Sequence, residues 1–562
     1  MTDIEVWKKR LRAAQAYTIE YGNMDEWKLN KQYYRNKFSA EYPYNLIFSM
    51  ARVIIPNTYF RNPHVNVTPT YKPQLYWHAK LVENIDNYLM GRIGLKNTMK
   101  RCILDAYLCS TGWCKLGYDS QYGFVKEEVD EHLGDATLTQ MDSKAERIEY
   151  NVNVSPGMPW AMRVSPECIL VPFGTTSIED CEWIAHVVIR SLDDVKRDPK
   201  YVHTKELEGT HIDLLKKTSH YDLYKSISND RELIELIEIR DFKTREIKVL
   251  CMESDKWLRE PEEDILQIQG LPFVTLAWNE DPDYIWGLPD ATLIAPQQKE
   301  MNETRDLIRS HRRMCKMKAL VDTGVLSEEE VQKMEEGDVG TFIRGHNVSP
   351  NTVIPFTSTI PGDLAAWLNI IREDVRELTG FSRVQMGEYE PTGRRTRGEA
   401  LLVAQANTIR LDEKRDCIAD FLVKILKKIN QIIFSCWSGE RVVRMVGQDG
   451  LVYWVQYTPS AIKGDYDLKV DVESMIPMTK ALRKQEMFEV LQLVGKNPQV
   501  DIQYLIRLLA KEYDWLDIMQ LFPQASQPMP LQQFIQQQQA LSPTEIGRRR
   551  GATLPMVGGR LR

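Results

Sequence analysis

Apolar residues recur at helical spacing through the first 110 residues, and that spacing predicts a series of paired helices. Thr2 caps a segment running through Tyr21, residues 25–38 form an aromatic-rich second helix, and residues 44–60 are the most apolar stretch, interrupted at Pro56. Trp77, Leu81, Ile85 and Tyr88 share one helical face, and Leu95, Met99, Cys102, Ala106 and Cys109 repeat the pattern. At Gly112 the texture changes. Short β-rich runs follow at 113–118, 146–154, 161–171 and 183–190, broken by Gly, Pro, Asp and Ser. Ser191 opens a brief helix with a capping-box-like start that ends at Asp198-Pro199. Residues 233–242 and 246–253 read as a hairpin and 272–278 as another strand, so the middle block is α+β.

A helix then spans 291–318, about 40 Å at 1.5 Å per residue. Its expected buried stripe is Leu293, Gln297, Met301, Thr304, Ile308, His311 and Cys315. Only half of that stripe is apolar, which suits a helix at a subunit boundary or one spanning solvent better than the centre of a monomer core. A compact insert follows: a strand at 319–323, a helix opened by Ser327 with Glu330 three residues on, and strands at 339–344 and 353–355. The next helix starts at Pro361-Gly362-Asp363 and stops at Thr379 before Gly380. Residues 381–397 form a loop rich in Gly, Pro and Arg. Beyond it lies the strongest periodic signal in the chain: Ile409, Ile418, Phe421, Leu422, Ile425, Leu426, Ile429, Ile432 and Ile433 on one helix of about 60 Å, from Thr396 to Trp437. A hairpin at 442–446 and 451–457, an alternating strand at 466–472 and helices at 478–494 and 502–511 complete the ordered pattern. From Pro523 the chain turns to Gln and Pro with five Arg against one Glu, and reads as a tail that is disordered or ordered only by partners.

At 562 residues the chain is too long for one core and predicts three or four units. The 43% apolar and 27% charged fractions are those of an ordinary globular protein. A net charge of -7 excludes a protein that holds nucleic acid through bulk positive charge. No window of about 18 residues is predominantly apolar, and Met1–Glu5 lacks a basic segment leading into an apolar one. The expectation is therefore no membrane span, no secretory signal, and a chain used in a cytoplasm or in something assembled there. The nine cysteines include no C-x-x-C pair and read as reduced core thiols, and the nine histidines fall at no metal-ligand spacing. No cofactor, metal or catalytic residue is expected.

There is no phosphate-binding loop of the G-x-x-x-x-G-K-[ST] type, no G-x-G-x-x-G and no G-x-S-x-G, which removes motors, helicases and serine hydrolases. Acidic clusters such as Glu262-Glu263-Asp264 and Glu328-Glu329-Glu330 could hold a metal for nuclease work, and they read better as a solvated loop and a helix first turn.

The order of parts resembles the portal (head–tail connector) proteins of tailed bacteriophages. Local matches are Ile169-Leu-Val-Pro-Phe-Gly followed by Asp180-Cys-Glu-Trp183, then Trp286-Gly-Leu-Pro-Asp290 with Pro296-Gln-Gln-Lys-Glu-Met-Asn302, and Leu378-Thr-Gly380 followed by Thr396-Arg-Gly-Glu-Ala400. The resemblance covers roughly residues 1–520. It implies a mainly helical, multi-domain α+β fold that assembles as a ring around a central channel. Residues 1–290 would form the wing, 291–318 the first stem helix, 319–360 the clip, 361–380 the second stem helix and 381–397 the channel loop. Residues 398–475 would return to the wing as a long helix with β elements, 476–522 would form the crown, and 523–562 a flexible tail. The short tail departs from longer relatives that carry a C-terminal barrel.

The resemblance further implies a ring of usually twelve subunits at one capsid vertex of a virion assembled in the host cytoplasm. Double-stranded DNA is packaged and ejected through it, a separate terminase drives packaging, and the clip docks head-completion adaptor or tail proteins. Major capsid protein and scaffolding protein are the other implied partners; no membrane is. Acidic net charge suits such a conduit, because each neutralised phosphate adds friction. Arg394, Arg395 and Arg397 on the Gly-flanked loop are candidate DNA contacts, against pairing with Glu388, Glu390, Glu399 or a neighbouring subunit. Arg305, Arg309, Arg312 and Arg313 with Glu300, Glu303 and Asp306 are candidate inter-subunit ion pairs. The Arg548–Arg550 run reads as a solvated tail, with DNA, scaffold or capsid as the other contact. The competing functions are a phosphate-loop-free metal-dependent nucleic-acid enzyme and another ring-forming head–tail adaptor.

Overall fold

The computed structural model describes residues 3–70, 75–118, 146–147, 153–154, 157–198, 200–204, 207–219, 221, 232–266, 268–314, 318–321, 327–336, 353–356, 362–381, 397–437, 441–446, 452–472, 475 and 529–540. The fold is α+β and mainly helical. The chain divides into two units. One comprises Met1–Lys28, Ala51–Pro289 and Leu401–Arg562; the other comprises Leu29–Met50 and Asp290–Ala400.

The larger unit is organised by the helix Arg397–Cys436, the 40-residue element that the periodicity predicts. Ile418, Phe421, Leu422, Ile425, Leu426, Ile429, Ile432 and Ile433 are all buried, and they share one core with Leu81, Ile85 and Leu89 of Tyr76–Arg92 and with Met99, Cys102 and Ile103 of Leu95–Cys109. Burying one such side chain fully is worth about 1.5–3 kcal/mol, so the seam alone outweighs any local propensity. Two polar groups fix its register. The Arg415 guanidinium donates to the Asn57 carbonyl at 3.0 and 2.9 Å, and Asn430 donates to Asp86 at 3.1 Å.

Two antiparallel sheets pack in the same unit. The first orders Phe273–Ala277, Thr111–Tyr118 and Pro159–Val164; the second orders Arg259–Glu263, Glu246–Leu250, Leu233–Asp241, Trp183–Ser191 and Ile169–Leu170. The switch from helix to strand at Gly112 has a steric cause, since a Cβ there would lie 2.2 Å from the Cys102 carbonyl oxygen. A fully buried ion cluster joins the sheets. Lys115 Nζ sits 2.8 Å from Glu238, and Arg240 reaches both Glu238 at 2.9 Å and Asp264 at 2.6 Å. Burial by itself would raise the Glu238 pKa, but the Lys115 ammonium and the Arg240 guanidinium outweigh it and hold the carboxyl at about 2.

Several expectations need correcting. Tyr88 is 62% exposed, because the buried position one turn beyond Ile85 is taken by Leu89. The helix Leu46–Thr58 runs through Pro56 rather than breaking there: Asn57 Nδ2 and Thr58 Oγ1 donate back to Val53 and Ile54 and secure the last turn. Ser191 makes no capping bond to Leu192–Arg197, since its backbone is still paired with Leu233 in the sheet. Val65–Pro69, for which no strand is expected from the sequence, is a strand paired with Tyr466–Val470. Leu531–Ala540, within the expected disordered tail, is a helix with Leu531 and Phe534 buried; Phe534 stacks edge-on to Trp77 and Tyr453. The helices expected at 478–494 and 502–511 lie outside the described residues.

In the smaller unit, the helices Asp290–Met314 and Gly362–Thr379 pack against each other, and the strands Lys318–Val321 and Val353–Phe356 pair antiparallel in the insert between them, beside the helix Glu328–Glu336. The second helix ends as its sequence says: Gly380 takes φ 73° and its N–H bonds the Arg376 carbonyl at 2.7 Å.

Candidate assembly and channel site

Over its first two turns the face that Asp290–Met314 buries is rotated by one residue from the expected stripe, whereas farther on Met301 and Thr304 are buried as expected. Ala291, Ile294, Gln298 and Met301 are buried, whereas Leu293 is 36% exposed. Gln298 explains the shift. Its side-chain oxygen accepts from the Leu46 N–H at 2.6 Å and the Ile47 N–H at 3.3 Å, and its amide donates to the Tyr44 carbonyl at 2.6 Å. Asn302 accepts from the Tyr44 N–H at 2.9 Å. The buried amides on this helix therefore serve segment 44–47 of the same chain. Gln298 and Asn302 are satisfied internally and do not call for a neighbour.

The apolar groups tell the opposite story. Leu307 is 53% exposed, Trp367 43%, Ile370 42% and Leu378 44%, while only Ile371 and Val375 of the second helix are buried. Trp367 Nε1 donates to Glu300 at 2.7 Å, which fixes the indole with its apolar body at the surface.

Of the arginines singled out from sequence, the structure gathers several around one aromatic–acidic pocket. Arg309 lies 4.0 Å from the Tyr42 ring and pairs with Glu41, which Arg313 approaches at 3.7 Å. Arg305 and, from the opposite helix, Arg372 lie 5.3 and 5.4 Å from the Tyr44 ring. Arg312 is exposed, and Glu303 meets Lys299 at 4.0 Å. Thus Glu300, Glu303, Arg305, Arg309 and Arg313 all find contacts within their own unit. Nothing in the sequence marked Glu41, more than 250 residues away, as a partner. Arg394 and Arg395 lie outside the described residues, and Arg397 is the first residue of the long helix.

The acidic run on Arg259–Glu263 is engaged. Glu262 takes the Arg259 guanidinium and Asp264 takes Arg240. Glu328–Glu330 form the first turn of Glu328–Glu336.

These parts are a long buried helix, an α+β block and a helix pair flanking a small β insert. They coincide with a match to the family model of the phage SU10 portal protein over residues 90–544, about four fifths of the chain. The chain belongs to the phage SU10 portal protein family. It is a structural, non-enzymatic phage protein and a component of the virion. No curated protein sequence matches it. Among the described residues of this portal protein, no helix is long and apolar enough to cross a membrane.

Proposed function

We propose that copies of this chain form a closed ring, of about twelve subunits by analogy with portals generally, at one vertex of the capsid. The genome is packaged through that ring and ejected through it. Residues 1–290 with 398–475 act as the wing, 291–318 and 361–380 as the stem, 319–360 as the clip, 381–397 as the channel loop and 476–522 as the crown. The observation that carries this reading is the row of exposed apolar side chains on the helix pair, Leu307, Trp367, Ile370 and Leu378. Identical subunits repeating about an axis cover such a face through a heterologous contact that closes. The clip docks the head-completion adaptor or tail proteins, and terminase, major capsid protein and scaffold bind other faces of the ring.

Arg394, Arg395 and Arg397 contact the phosphates of duplex DNA in transit. Replacing all three with Ala leaves ring formation unchanged and lowers the amount of packaged or retained DNA, measured as the genome content of purified particles. Unchanged genome content would remove the loop from the mechanism.

A further inference from the structure

An unbalanced positive patch lies in the larger unit. Phe60 is 45% exposed, and the ammonium groups of Lys96 and Lys100 lie 5.7 and 5.9 Å from its ring. Both lysines project from Leu95–Cys109 at i and i+4, and exposed Arg52 stands beside them on Leu46–Thr58. Partial burial, then Lys96, then Arg52 all push the Lys100 pKa down, with no anion opposing them. None of the three cations forms an ion pair among the described residues, in a chain that carries seven net negative charges. The helix also has no acidic residue in its first turn and places Lys96 there, where the helix dipole disfavours a cation. Such a cluster presents its charge to solvent, where an external anion would offset the mutual repulsion.

We infer that Arg52, Lys96 and Lys100 form a second contact for the phosphate backbone of nucleic acid, with Phe60 as the apolar platform between the charges. Point charges on flexible stems about an aromatic ring suit sequence-independent backbone contact rather than base reading. The inference rests on the portal reading for the source of the phosphates, namely the transiting or packaged genome. It does not require the ring.

The test is fluorescence anisotropy of a labelled short duplex with the full chain, titrated at several salt concentrations, against the variant Arg52→Gln/Lys96→Gln/Lys100→Gln. If the three cations each neutralise a phosphate, the variant's salt slope falls by about 2.7, at ~0.9 per phosphate. Lys96→Arg/Lys100→Arg retains wild-type binding. Sedimentation of the same samples keeps the two ideas apart: a protein that stays monomeric yet loses duplex binding in the Gln variant sinks the ring and keeps the patch. An unchanged salt slope in a folded variant overturns the patch, as does equal loss of binding to a polyglutamate probe with none for duplex.

Discussion

The larger unit and the helix pair of the smaller unit place their polar and apolar groups in different ways. In the first, the apolar face of Arg397–Cys436 is covered by the chain's own helices, and even its fully buried charges, Lys115, Glu238 and Arg240, are paired at 2.8–2.9 Å. In the second, the buried amides Gln298 and Asn302 are satisfied within the unit, while Trp367, Ile370 and Leu378 face outward. The lesson is that the larger unit covers its own apolar surface, whereas the helix pair leaves apolar side chains exposed, which on the ring proposed above a neighbouring subunit would cover. Polarity of a helix is therefore a poor guide to whether it lies at a boundary; unsatisfied apolar surface is the better one.

The comparison breaks most sharply at the buried ion cluster. Lys115→Met leaves Glu238 with one cation fewer in the interior and costs about 3–5 kcal/mol of unfolding free energy, measured by chemical denaturation. The same cluster sets an acid limit. The Glu238 pKa is depressed in the folded state, so its contribution is present above its ordinary value of 4.5 and is lost as pH falls through about 2. Next, Gln298→Leu removes the partners of three backbone groups in segment 44–47 and costs about 1–3 kcal/mol.

Asp86 supplies a test of opposite sign. It is fully buried, only one of its oxygens is hydrogen-bonded, and burial, aided by Glu83 and opposed by Asn430, pushes its pKa up to about 8. A raised carboxyl pKa contributes stability below its ordinary value of 3.8 that is lost as pH rises toward 8. Asp86→Asn removes this decline and raises the melting temperature at pH 8 by at least about 2–4 °C, the shift that ~1 kcal/mol produces in a large domain. The smallest effect on folding belongs to Trp367→Ala/Ile370→Ala, which changes unfolding of the isolated subunit by no more than about 0.5 kcal/mol per site.

How far this contrast was legible in the sequence depends on how local each signal is. Gly380, the spacing from Ile418 to Ile433 and the Leu233–Leu250 hairpin are set within one or two turns of chain, and all are found where the sequence predicts them. The pairing of Val65–Pro69 with Tyr466–Val470 joins segments 400 residues apart and leaves no local trace. Gln536–Gln539 read as low complexity, yet Leu531, Phe534 and Gln538 are buried on one face of a helix, a pattern that the surrounding glutamines hide. The stripe on Asp290–Met314 differs from expectation only over its first two turns, where the Gln298 amide is a substitute for backbone partners. At the candidate site, the stem arginines were found by composition, but Glu41, Tyr42 and Tyr44, which organise them, come from a distant segment.

The most direct test of the central claim is the mass and end-on appearance of the purified full chain, with and without Trp367→Ala/Ile370→Ala. The wild-type protein is expected to sediment as a closed multiple of 65.3 kDa and to show a central hole in negative stain, while the variant stays folded and sediments as a monomer. A wild-type chain that remains a monodisperse 65.3 kDa monomer across assembly conditions, or a variant that forms rings as readily as wild type, would contradict it.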